Sequence, residues 1–149
     1  MYLIVCENYD EMSKRAAELI AAQINENPES VLGLATGSTA EGVYKYLSDM
    51  NRDGKADFKK VTTFNLDEYY PLSCKNEQSY HYFMNKHLFS HVNIDMKKTH
   101  IPDGAAADPQ KECREYEEKI AEAGGIDLQL LGIGRNGHIG FNEPDNNLY

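Results

Sequence analysis

Val31-Leu32-Gly33-Leu34-Ala35-Thr36-Gly37-Ser38-Thr39-Ala40 is an apolar run that ends in a turn-rich stretch and leads into a helical pattern. The run reads as a short buried strand. Residues 40–50 read as a helix that turns Val43, Tyr44 and Leu47 inward. The same alternation extends in both directions. Upstream, residues 10–27 carry Met12, Ala16, Leu19, Ile20 and Ile24 on one helical face, with Asp10 as N-cap and Pro28 as the stop. Residues 2–5, Tyr-Leu-Ile-Val, read as a strand before that helix. Downstream, the β-branched and aromatic residues 61–66 read as a third strand. Residues 79–89 read as a helix, followed by a loop through Asp95. Residues 108–123 form a charged helix whose inner side carries Cys113, Tyr116 and Ile120. Residues 127–133 read as a fourth strand, and a polar, glycine-rich segment, residues 134–149, closes the chain.

Strands that alternate with helices pair in parallel and bury both faces of the sheet. The expected fold is therefore α/β: a doubly wound, mostly parallel sheet with helices on both faces, a Rossmann-like three-layer sandwich formed by residues 1–149 as one domain. No repeat, low-complexity tract or interdomain linker interrupts it. In such sheets ligands sit beyond the carboxyl ends of the strands. Three of those ends are polar here: Thr36-Gly37-Ser38-Thr39, Asp67-Glu68-Tyr69, and residues 134–143.

The chain has 149 residues, of which 24 are acidic and 15 basic, for a net charge of −9. That balance argues against nucleic acid or an anionic membrane surface as partner, since both require a basic face. It leaves room for a small anion in a local pocket. No apolar stretch approaches the roughly 20 residues that span a bilayer. The start of the chain lacks the basic leader of a signal peptide. Three widely spaced cysteines, Cys6, Cys74 and Cys113, form no CxxC or metal cluster and suit a reduced, cytoplasmic protein.

Each polar strand end has a chemical and a plain reading. Gly37 permits a sharp turn, and the following helix offers free N–H groups and the positive end of its dipole, with the hydroxyls of Ser38 and Thr39 as further donors. That suits a phosphate; the plain alternative is an ordinary helix cap. Asp67, between apolar and tyrosine neighbours, suits a partly desolvated carboxylate of raised basicity. The alternative is a loop-initiating Asp beside a solvated Glu68. Gly132, Gly134 and Gly137 match G-x-G-x-x-G, but Gly140 and Pro144 interrupt the helix that fingerprint requires, so no dinucleotide is expected. The better reading is a glycine-built loop presenting His138 beside Glu143, an oriented base for neutral pH. His81, His87, His91 and His100 have no comparable context.

Residues 61–69 (VTTFNLDEY) and 131–144 (LGIGRNGHIGFNEP), with the Leu34-Ala35-Thr36-Gly37-Ser38-Thr39 loop, together resemble the glucosamine-6-phosphate deaminase (isomerase) family. The resemblance runs from Leu3 to about Pro144. The related 6-phosphogluconolactonases usually carry Asp-Glu-Arg where this chain has Asp67-Glu68-Tyr69, and a different run after the Gly-His pair. A lactone hydrolase is therefore the lesser reading. A truncated, non-catalytic sugar-phosphate binder is the third.

The resemblance implies conversion of glucosamine 6-phosphate to fructose 6-phosphate and ammonia, a hydrolase reaction with an aldose–ketose isomerisation inside it, without metal or other cofactor. It assigns ring opening to His138 with Glu143, C2 proton transfer to Asp67, and phosphate binding to Thr36, Gly37, Ser38 and Thr39. Asn136 stands where many relatives carry aspartate; it keeps a hydrogen bond to His138 but supplies no charge. The resemblance leaves a homo-oligomer open. Relatives continue well past Tyr149 with further strands, a lid and basic phosphate partners. The chain is thus expected to be the N-terminal part of the fold, inactive by itself, with Arg135 its one candidate cation near the phosphate.

Overall fold

A computed structural model describes residues 2–145. In chain order the elements are α1 (Tyr9–Glu26), β1 (Val31–Leu34), α2 (Ser38–Arg52), β2 (Thr62–Asn65), α3 (Tyr80–His87), β3 (Thr99–His100), α4 (Pro109–Glu122) and β4 (Leu128–Gln129). Two single-turn 3-10 helices, Phe89–His91 and Met96–Lys98, lead from α3 to β3.

The four strands form one parallel sheet in the order β3-β2-β1-β4. From β1 the chain steps to β2 and on to β3 in one direction. It then crosses back over both to lay β4 on the free side of β1. Right-handed crossovers put α2 and α3 on one face and α4 on the other, because the last step runs the opposite way. The side chains agree. Leu32 and Leu34 pack with Ile20, Ile24, Val43, Leu47 and Met84 from α1, α2 and α3. Val31 and Phe64 point to the opposite face, against Tyr116 of α4, with Ile120 and Ile126 alongside. The fold is the α/β three-layer arrangement that the sequence pattern implies.

Several local expectations are corrected. Residues 2–5 form no strand: Tyr2 is 98% and Val5 84% exposed, and the run has no ladder partner among the described residues. An apolar, β-branched run becomes a strand only where an open sheet edge receives it. The N-cap of α1 is Asn8, whose side chain accepts from Glu11 N–H; Asp10 lies in the first turn, where its charge meets the helix dipole. Leu19 is half exposed because the buried stripe runs through Ala17, Ile20, Ala21 and Ile24. Cys113 is exposed, since α4 turns only a narrow stripe centred on Tyr116 inward.

The fourth strand is two residues long rather than seven. Its pairing with β1 covers Leu128 and Gln129, and Leu130 N–H adds one bond to Gly33 O before the chain departs. Asp127 fixes its start by exchanging hydrogen bonds with Val31, N–H to carbonyl at 2.8 Å and carboxylate from N–H at 2.7 Å. The strand Thr99–His100 lies in a stretch whose sequence gave no strand signal. It is held on β2 by register and by the stacking of His100 on Phe64 at 4.5 Å.

Candidate active site

The reversal of direction between β1 and β4 leaves a crevice above their carboxyl ends, where doubly wound sheets bind ligands. A cavity of about 650 Å³ occupies it. Its walls come from the three polar strand ends: Thr36 to Thr39 after β1, Asp67 and Tyr69 after β2, and Arg135, His138 and Glu143 after β4. All the residues singled out in the sequence meet here except Asn136, which stands behind His138.

The first wall is the start of α2. Gly37 holds φ +98°, a left-handed conformation that a side chain would strain, and it is the N-cap residue. It offers no side-chain cap, so the N–H groups of the first turn are not taken by one. This loop is pinned from two sides. Tyr44, fully buried, donates its hydroxyl to Ala35 O. Tyr9, the first residue of α1, donates to Ser38 O at 2.6 Å and accepts from Gly42 N–H at 2.8 Å. Its hydroxyl thus sits between the two groups that an α-helix pairs at i and i+4. Gly42 makes room for this: a Cβ there would fall 2.3 Å from Ser13 Oγ and 2.9 Å from the Tyr9 hydroxyl.

The second wall carries Asp67. The side chain is half buried, and this desolvation, followed by repulsion from Glu68, raises its carboxyl above the usual range. Glu68 is not a solvated spare. Its carboxylate accepts from Tyr69 N–H at 2.9 Å, from Tyr80 N–H at 2.9 and 3.0 Å, and from His81 N–H at 3.3 Å, at the N-terminus of α3. Tyr69, Tyr80 and Phe141 pack together with centroids 4.9 to 6.0 Å apart and form an aromatic side of the cavity. Burial, then the hydrogen bond with Tyr69, pushes the Tyr80 phenol well up, against a smaller opposing pull from Thr36.

The third wall is the glycine loop. It folds on itself through Gly134 N–H to His138 O at 2.8 Å and a two-residue bridge between Ile139 and Asn142. A Cβ at Gly134 would lie 2.2 Å from the His138 ring, so only glycine lets the imidazole lie there. Gly140, with φ +61°, brings the loop against the second wall; a Cβ on it would be 2.8 Å from Leu66 Cδ2 and 3.4 Å from Asp67 Oδ2.

Within this loop, Asn136 Nδ2 donates to Glu143 Oε2 at 2.5 Å, and Asn136 Oδ1 lies 2.6 Å from His138 Nδ1. His138 Nδ1 is 4.0 Å from Glu143 Oε1, so the amide, not the carboxylate, is its direct partner. An ionised carboxylate only accepts. The amide therefore gives its NH2 to Glu143 and its oxygen to the imidazole. Nδ1 then carries the ring hydrogen, and Nε2 is the basic nitrogen.

Residues 7–141 match the family described as glucosamine-6-phosphate isomerases/6-phosphogluconolactonase. The chain belongs to this family. Among the family's curated proteins, the glucosamine-6-phosphate deaminase of Halothermothrix orenii is 60% identical over 148 residues, 99% of this chain and 61% of that protein. The enzyme of the same name from Clostridioides difficile is 59% identical over 145 residues, 97% of this chain and 58% of its own length. Among solved structures of the family, a monomeric glucosamine-6-phosphate deaminase superposes with a TM-score of 0.93 at 47% identity, covering 97% of this chain and 60% of that one. A 6-phosphogluconolactonase from Thermotoga maritima gives 0.76 at 25% identity, covering 94% and 62%. The chain thus spans about three-fifths of the length of the family members it matches.

Sequence reasoning did not single out Tyr80 or Phe141 as part of this cavity. Phe141 shares the glycine-rich loop with Gly134 and Gly140, which the sequence does mark. Tyr80 arrives from a helix eleven residues beyond its partner Tyr69, and nothing in the spacing announces that contact.

Proposed function

We propose that the protein to which this chain belongs is an isomerising deaminase that converts glucosamine 6-phosphate to fructose 6-phosphate and ammonia. Overall the reaction takes up water; its chemical core is an aldose–ketose isomerisation. The observation that carries the reading is the pairing, in one crevice, of a half-buried Asp67 with a histidine whose tautomer is set by Asn136 and Glu143. The strong likeness to proteins named glucosamine-6-phosphate deaminase supports it.

The phosphate lies at the start of α2, on Thr36, Gly37, Ser38 and Thr39, with Arg135 lining the same cavity. His138 Nε2 takes the anomeric hydroxyl proton and returns it to the ring oxygen as the pyranose opens; Asn136 and Glu143 hold the ring in register. Asp67 then removes the C2 proton of the open aldehyde, giving an enolamine, and delivers it to C1. The resulting C2 imine takes up water and loses ammonia. A raised carboxyl suits Asp67, because a more basic carboxylate removes a C–H proton more readily and its conjugate acid must give it back.

Cys6, Cys74 and Cys113 are unpaired, in keeping with the reducing cytoplasm where we place the protein. Among the described residues no helix is long and apolar enough to cross a membrane.

The test is hydrogen exchange at C2 in deuterated solvent with the full-length protein. Asp67→Asn should abolish exchange and lower turnover by about 10²- to 10⁴-fold, with substrate binding largely kept. Exchange at the wild-type rate in the variant would assign the base elsewhere.

A further inference from the structure

We propose that Glu68 is the positioning residue for the general base: its carboxylate, docked on the N-terminus of α3, holds the strand-end loop so that Asp67 faces the cavity. This rests on Asp67 being the base, and the test below separates the two.

Three backbone N–H groups converge on Glu68, two of them from the first residues of α3. Those groups are the orphan donors of a helix start, and a carboxylate there also meets the positive end of the dipole. The helix does not need Glu68 in order to begin. Ser79 already caps it by accepting from Tyr82 N–H at 3.1 Å. The additional contact instead ties the loop after β2 to an element twelve residues further on. The stem of Glu68 is confined as well. A Cβ on Gly104 would lie 3.0 Å from Glu68 Cγ and 2.3 Å from Tyr69 O, so the backbone at 104 closes on the same loop. Leu72 N–H fastens it there, donating to Gly104 O at 2.7 Å. Asp67 is thus the residue between a hydrogen-bonded strand end and a doubly fastened Glu68.

The anchored carboxylate also carries charge. It stands next to Asp67 and opposes ionisation of the base. The other titratable groups around Asp67 are Tyr69 on the same loop, Tyr80 from α3, Tyr116 from α4, and Arg135, His138 and Glu143 across the cavity. Of these groups Glu68 is the one negative charge on the same loop.

The experiment uses Glu68→Ala and Glu68→Gln in the full-length protein. Alanine removes every acceptor. Glutamine keeps the length and one acceptor oxygen but not the charge. For alanine the expected result is a kcat lower by roughly 10²-fold, the scale of a misplaced catalytic group, with KM nearly unchanged. C2–hydrogen exchange should fall in the same proportion without vanishing. Glutamine should restore much of the loss. In both variants the acid limb of the kcat profile should move to lower pH, because Asp67 loses its like-charged neighbour and stays ionised further down. In the full-length protein, Glu68→Ala should also speed amide exchange at Tyr80 and His81. Wild-type kcat and an unmoved acid limb in Glu68→Ala would overturn the proposal. So would a collapse of kcat and KM together that glutamine fails to relieve, which marks a residue that merely holds the fold. If Asp67→Asn continues to exchange, the base assignment fails instead, whatever Glu68 does.

Discussion

Asp67 is held in an environment that works against its own ionisation. Desolvation is the larger cause and Glu68 the smaller. Its folded carboxyl binds a proton more tightly than an unfolded one. The stability linked to that proton is complete below the ordinary Asp range and is lost as pH rises through the raised value. At neutral pH the ionised side chain is therefore a burden on the fold. Asp67→Asn should melt at a higher temperature than wild type at pH 7. The difference should shrink as the pH falls below the raised carboxyl value. Thermal melts of both proteins across that range check the sign. Asn136 shows the converse economy: a neutral amide fixes the His138 tautomer and links it to Glu143 without adding charge to the site.

At the scale of elements, the start of α2 is the part of the site built most firmly from backbone. Tyr44 and Tyr9 hold the chain on either side of Gly37, and the glycine supplies the left-handed turn between them. Gly37→Val leaves the local volume open but forces a β-branched residue into φ +98°. The first turn should lose its shape, and sugar-phosphate affinity should fall at least tenfold, as a substantial part of the anion contact is lost. Calorimetric titration with the sugar phosphate checks this, and undiminished affinity would remove the phosphate from α2. The glycine loop after β4 is built differently. Its glycines accommodate neighbours, the His138 ring at Gly134 and the Leu66 side chain at Gly140, rather than freeing N–H groups.

Across the whole molecule, the sheet is unequally supported. One face carries most of the buried apolar residues, and the α4 face carries a thin cluster around Phe64 and Tyr116. β1 and β2 pair over four residues each, whereas β3 and β4 pair over two. Amide exchange should rank accordingly, slowest at Leu32, Leu34 and Phe64 and fastest at the ladder bonds of β3 and β4. The same inequality explains what the sequence made legible. Leu32, Leu34, Val43, Tyr44 and Leu47 announce their elements because long, periodic apolar patterns decide where they lie. Thr99 and His100 do not, since a two-residue strand has no period to read. Residues 2–5 mislead for the opposite reason: their composition is that of a strand, but a strand is a property of the edge that receives it. The site followed the same division. Asp67, His138 and the Gly37 loop lie at strand ends and could be located from topology. Glu68 and Tyr80 meet only because α3 folds back over the loop, and no local signal records that.

The Tyr9 hydroxyl between Ser38 and Gly42 has a consequence for descent. A side chain at position 42 would claim space held by the Tyr9 phenol and, nearer still, by Ser13, so these three positions cannot diverge independently. Lineages that replace Gly42 by a larger residue should carry smaller residues at positions 9 and 13, and lineages that keep Tyr9 and Ser13 should keep the glycine. A single exchange at position 9 or 42 alone would leave an intermediate that is overfilled or unbridged. The changes should therefore be inherited together, and a tabulation of residues 9, 13 and 42 across sequences of this family would reveal the correlation or its absence.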